Sequence, residues 1–140
     1  MTLAPASGLI GVLAGAFAAH GVSDPVARSW LETGARYELI HALATAACAA
    51  FVNAGGRRAR LAPGLFLAGT VLFSGSLYAM AFGAPRWLGA VTPLGGLLFI
   101  AGWAVLIAAG LQVERGERPV LPRAGGGVTV KTPEPPKEPL

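Results

Sequence analysis

Glu38 and His41 stand three positions apart in RYELIH (36–41), and Tyr37 lies four before His41, so a helix presents acid, imidazole and phenol on one broad face. Groups of these types can relay protons or ions along a membrane path, or hydrogen-bond between helices and fix their register. Glu-x-x-His is also half of a carboxylate-bridged dimetal site, but such bundles need the motif twice and two further carboxylates from other helices, which the chain does not supply. His20 is the other of only two histidines, so His20, Glu38 and His41 form the one conceivable mononuclear ligand set. Cys48 is the single cysteine, which excludes an intrachain disulfide framework and a cysteine zinc site. No serine-histidine-acid arrangement, phosphate loop or dinucleotide fingerprint is present. The chain therefore reads as non-enzymatic, with no cofactor and no metal.

The elements that must position these residues follow from composition. Of 140 residues, 54% are hydrophobic and only 13% charged, with a mean hydropathy of +0.59; an ordinary soluble domain is about a quarter charged. The class is an integral membrane protein. Four apolar runs, at about 3–20, 34–52, 61–82 and 88–113, each approach the roughly 20 residues that a helix needs to cross about 30 Å of hydrocarbon. The expected fold is all-α, a four-helix transmembrane bundle over residues 1–113. The Pro- and Gly-rich remainder, 114–140, cannot bury a core and is expected to be a disordered tail.

The first run reads as a retained helix and not as a signal peptide, because no Lys or Arg precedes it and Gly8, Gly11, Gly15 and Ala19 make a small-residue stripe. Similar stripes are Ala42, Ala46 and Ala50; Gly75, Ala79 and Gly83; and Gly95, Gly102 and Ala109. In lipid there is little hydrophobic drive between helices, so side chains small enough for backbones to approach hold a bundle together. In SDP (23–25) a helix cap is followed by Pro at the first helical position, which predicts a short interfacial helix over 26–33 anchored by Trp30.

Four alternating spans return to a common membrane border. That border gathers His20, Tyr37, Glu38, His41, Ser74, Ser76, Tyr78 and Thr92 within or just under the headgroup layer near the outer leaflet. In TPLGG (92–96), Thr92 is expected to cap the fourth helix, with Pro93 at its first position. Gly95 and Gly96 would leave first-turn backbone uncovered at the positive end of the helix dipole, with Glu38 as a candidate partner. The candidate binding cluster is thus His20, Tyr37, Glu38, His41, Ser76, Tyr78, Thr92 and Gly95. Its first reading is architectural, in a small structural or interaction protein of the bilayer. The alternative is a proton, ion or small-molecule path using Glu38 and His41. Against it, only Thr45, Cys48 and Thr70 continue toward the other leaflet, and four short helices lack inverted repeats, so transport would require an oligomer.

Arg57, Arg58, Arg60, Arg115 and Arg118 fall on one side of the four spans, and Arg28, Arg36 and Arg86 on the other, which places both termini in the cytoplasm. The net charge of +4 bears on this orientation and not on nucleic acid. The expected partners are the lipid bilayer and a second copy or another membrane protein.

GAFAAHG (15–21), TGARYELIHALA (33–44) and LFSGSLYAMAFGAPRWLGAVTPLGGLLFIAGW (72–103) resemble the membrane family catalogued as domain of unknown function 423, which includes bacterial inner-membrane proteins and the eukaryotic transmembrane protein 256. The resemblance spans Gly8 to Trp103. It implies four spans and a bacterial inner-membrane location, and brings no activity, substrate or cofactor with it. Ala18 stands where the family's first motif has Gly, and the tail after Glu114 lies outside the pattern.

Overall fold

The computed structural model describes residues 2–116, so the tail expected to be disordered lies, from 117 onward, outside the described residues. Four helices make up the described chain: α1 (Leu3–Gly21), α2 (Pro25–Asn53), α3 (Ala62–Ala81) and α4 (Thr92–Gly116). Single 3-10 turns at Arg57–Leu61 and Arg86–Ala90 lead into α3 and α4. Successive helices pack side by side, α1 on α2, α2 on α3 and α3 on α4, with α2 also touching α4. This is an all-α four-helix bundle.

The start of α2 differs from the expected one. Asp24 caps it by accepting from the amides of Val26 and Ala27 at 3.3 and 3.2 Å, with Pro25 at the first position. Arg28 closes the preceding turn by donating from Nε and Nη2 to the Val22 carbonyl at 3.1 and 2.6 Å. The segment predicted as a separate interfacial helix is thus the first two turns of one helix of 29 residues, about 43 Å long. The helix runs unbroken through the expected boundary at Gly34, which lies beneath the Tyr78 ring, where an added Cβ would fall 2.6 Å from Cε1. Glu38 therefore stands at mid-helix, about 20 Å from the start of α2 instead of one turn inside it.

Among the described residues, three segments are long and apolar enough to cross a membrane: Leu3–Gly21, Arg57–Ala81 and Arg86–Arg115. α2 is not one of them, since it carries Glu38 and His41, which are only 3% and 4% exposed. Polar groups in lipid are tolerated when they face protein and are satisfied there. Packed between α1 and α3, α2 follows the path of its neighbours.

Small residues set the seams, though not all the expected ones. Gly8, Gly11 and Gly15 face α2, opposite Ala42, Leu39 and Ala35. Gly102 and Gly95 press on α3, against the Phe66 ring and the Phe73 and Gly69 backbone. The expected stripe at Gly75 and Gly83 makes no such contact: an added Cβ at either meets nothing within 4 Å, and Gly83 has φ +94°, as the turn after α3 requires. Ala46 and Ala50 likewise face outward. The core lies among α2, α3 and α4, around Cys48, Ala59, Phe66, Phe99, Leu106 and Ala109. Leu9, Ile10, Val12, Leu13 and Phe17 of α1 project outward as an apolar surface suited to lipid.

Candidate functional site

Glu38 ties three helices together. Its Oε1 accepts from Ser7 Oγ of α1 at 2.9 Å and its Oε2 from Tyr78 OH of α3 at 2.8 Å. One turn earlier on α2, the Gly34 carbonyl accepts from Ser74 Oγ of α3 at 2.8 Å, deep in the same seam. Interhelix hydrogen bonds in membranes average about 0.6 kcal/mol. Removing one partner of a buried pair costs more, about 1–3 kcal/mol, because the other is left unsatisfied.

His41 belongs to a different group. Its Nδ1 lies 2.7 Å from the Tyr37 carbonyl, which can only accept, so Nδ1 carries the hydrogen. Nε2 is then the acceptor and receives the indole N–H of Trp103 at 3.3 Å. The ring stacks on Phe99 with centroids 3.5 Å apart and 6° between planes, while Phe66 and Trp103 close its sides. Tyr37 extends the stack to Phe73 at 4.5 Å, with its own side chain 40% exposed. Glu38 thus points to α1 and α3, and His41 to α4 and the Phe66 ring of α3.

The remaining predicted residues divide further. Ser76 Oγ and Thr92 Oγ1 meet at 2.7 Å across α3 and α4, so the Thr92 hydroxyl pairs between helices where it was expected to cap α4. Gly95 does not open an anion-receiving end toward Glu38. A Cβ there would run into the Phe73 amide nitrogen and lie 2.8 Å from the Gly69 carbonyl oxygen, so its hydrogen is what lets α4 seat on α3. Glu38 already has Ser7 and Tyr78. His20 is exposed in the last turn of α1, 13 residues or about 20 Å along the helix from Ser7, and the ligand set of His20, Glu38 and His41 is not assembled. Among the described residues, no three His, Cys, Asp or Glu side chains converge as metal ligands.

Ser7, Phe99 and Trp103 were not singled out as site residues, yet they complete both groups. Ser7 had a signal: it lies four before Gly11 and eight before Gly15, on the stripe that faces α2. Trp103, deep in a span, carries an N–H that needs an acceptor.

Other hydroxyls and the thiol turn onto their own helices. Thr45 donates to the His41 carbonyl, Cys48 to that of Ala44 and Thr70 to that of Phe66. Among the described residues, no buried side-chain nitrogen or oxygen lacks a partner. An arrangement so fully paired is suited to joining helices.

The family described as "Protein of unknown function (DUF423)" matches residues 14–96, a stretch that includes Glu38, His41, Ser74 and Tyr78. A "UPF0382 membrane protein" of Haemophilus influenzae is 44% identical over 109 residues, covering 76% of this chain and 88% of its own length. The "UPF0382 inner membrane protein YgdD" of Escherichia coli is 39% identical over 122 residues, 82% of this chain and 91% of its own. A "UPF0382 membrane protein" of Staphylococcus epidermidis is 37% identical over 107 residues. No solved structure matches significantly.

Proposed function

Since the chain belongs to the DUF423 family of uncharacterised membrane proteins, we propose that it is a small structural or interaction protein of the bilayer in which Glu38 locks α1, α2 and α3. The observation that carries this reading is the engagement of both Glu38 oxygens and both His41 nitrogens by groups of the protein itself. A relay group must exchange partners, and here exchange at either Glu38 oxygen or at His41 Nε2 breaks a contact between helices. On this reading the protein is not an enzyme and holds no cofactor. Its partners are lipid and, through the apolar side chains facing outward, a second copy or another membrane protein.

The location that this reading favours is the bacterial inner membrane, the site named for the Escherichia coli relative. Arg57, Arg58 and Arg60 precede α3 at the end of the bundle where Arg115 closes α4, and Arg28 and Arg86 lie at the other end. Positive charge favours the cytoplasmic face, which supports cytoplasmic termini.

The test is proton flux in liposomes containing the full chain and a trapped pH-sensitive dye. Leakage equal to that of empty liposomes is expected for the wild type and for Glu38→Gln, which keeps the side-chain shape and an acceptor. A wild-type flux abolished in a folded Glu38→Gln protein would replace this reading with the transport one.

A further inference from the structure

A groove of about 540 Å³ opens between the first turn of α1, the C-terminal half of α2 and the start of α3. That volume is within the roughly 300–1,000 Å³ of small-molecule sites. Small side chains on α2, Thr45, Ala46 and Ala49, leave the trough, and Pro63 and Leu67 of α3 form its far wall. Its interior is apolar in effect. The Thr45 hydroxyl and Cys48 thiol that face it are already bonded to carbonyls of their own helix.

The mouth has the opposite character. Arg60 lines it, and no acidic side chain is among the described residues that do. Arg60 sits on the 3-10 turn Arg57–Leu61, where three residues complete a turn, so Arg57 and Arg60 fall on the same side. Both are exposed. The Arg58 amide donates to Gln112 Oε1 of α4 at 3.4 Å, which ties this turn to the bundle. Arg60 therefore stands at the mouth of a hydrocarbon-lined trough, with Arg57 on the same side of the turn that leads into α3.

We propose that this groove binds one anionic phospholipid of the surrounding bilayer, with an acyl chain in the trough and the phosphate on Arg57 and Arg60. Charge complementarity selects this occupant: arginine pairs suit phosphate oxygens, and basic clusters between membrane helices favour anionic headgroups. A zwitterionic lipid offers the same chain without net charge and is disfavoured. The site also gives the arginines a task beyond setting orientation, and it is independent of what Glu38 does.

The experiment is a titration of the detergent-solubilised full chain, read by native mass spectrometry, with phosphatidylglycerol or with phosphatidylcholine of the same acyl chains. One phosphatidylglycerol is expected to be retained per chain, at least about ten-fold more tightly than phosphatidylcholine. Each arginine near a lipid surface is worth roughly a five-fold change, so Arg57→Gln/Arg60→Gln should weaken binding about 25-fold. Ala49→Leu keeps every charge but fills the trough, and should weaken binding about ten-fold. Arg86→Gln, at the opposite end, should leave it unchanged. Circular dichroism and elution volume identify folded variants, and if the double arginine variant misassembles, Ala49→Leu decides. Equal retention of the two lipids, or unchanged binding in Ala49→Leu, would overturn the proposal.

Discussion

Replacing Gly95 with Ala should separate α3 from α4, for a reason visible in three atoms. The added Cβ would run into the amide nitrogen of Phe73 and lie 2.8 Å from both the Gly69 carbonyl oxygen and Phe73 Cβ. Two of these are backbone atoms, which no rotamer change can move. Ordinary contact begins near 3.4 Å, so the carbonyl alone obliges the helices to part by about half an ångström. That shift loosens the Phe99 ring over Gly69 and with it the stack on His41. Over-packing of this kind costs about 1–3 kcal/mol. Gly75→Ala is the internal comparison, because its Cβ would meet nothing within 4 Å. There the usual preference for Ala in a helix predicts no loss, or a gain of up to about 1 kcal/mol. Equilibrium unfolding of the full chain in mixed micelles measures both. Equal effects of the two substitutions, or no loss for Gly95→Ala, would refute the packing argument.

Trp103→Phe keeps a ring against Phe66 but leaves His41 Nε2 without its donor, and should cost about 1 kcal/mol in the same unfolding assay. Asp24→Ala removes both cap hydrogen bonds at the start of α2 and should cost about 1 kcal/mol, read as lost stability with the topology unchanged. Cysteines placed at Val22 and Ala84, in a background lacking Cys48, should react with a membrane-impermeant thiol reagent from one compartment, and a cysteine at Gly55 from the other. Labelling of positions 22 and 84 from different compartments would contradict the alternating path.

Much of this path was legible in the sequence, because hydrophobic run length and the SDP and TPLGG signals mark where helices begin. The continuity of α2 was also present in the pattern. Arg28, Glu32 and Arg36 recur every four residues on an exposed face, while Ala27, Leu31, Ala35 and Glu38 recur on the buried one, so the charges mark a helix side and not an interfacial segment. Reading them as a membrane border displaced Glu38 toward the end of its helix. The partners were less accessible. Which neighbour Glu38 meets depends on the rotation of α2 about its axis, and spacing along one helix leaves that angle relative to α1, α3 and α4 undetermined. Gly95 shows the same limit, since a missing side chain marks close approach without telling whether an anion or another backbone fills the space. Ser7 and Trp103 each offered one polar group on an apolar helix, and only the packed bundle shows which group answers it.

The most direct measurement of the Glu38 lock is a double-mutant cycle in the full chain, pairing Glu38→Met with Tyr78→Phe. Each single substitution should cost about 1–2 kcal/mol, and together they should cost about 1 kcal/mol less than their sum, because the second removes a group the first has already stranded. Strict additivity, in proteins that remain helical and monodisperse, would contradict the contact and with it the joining of α2 to α3 through this acid.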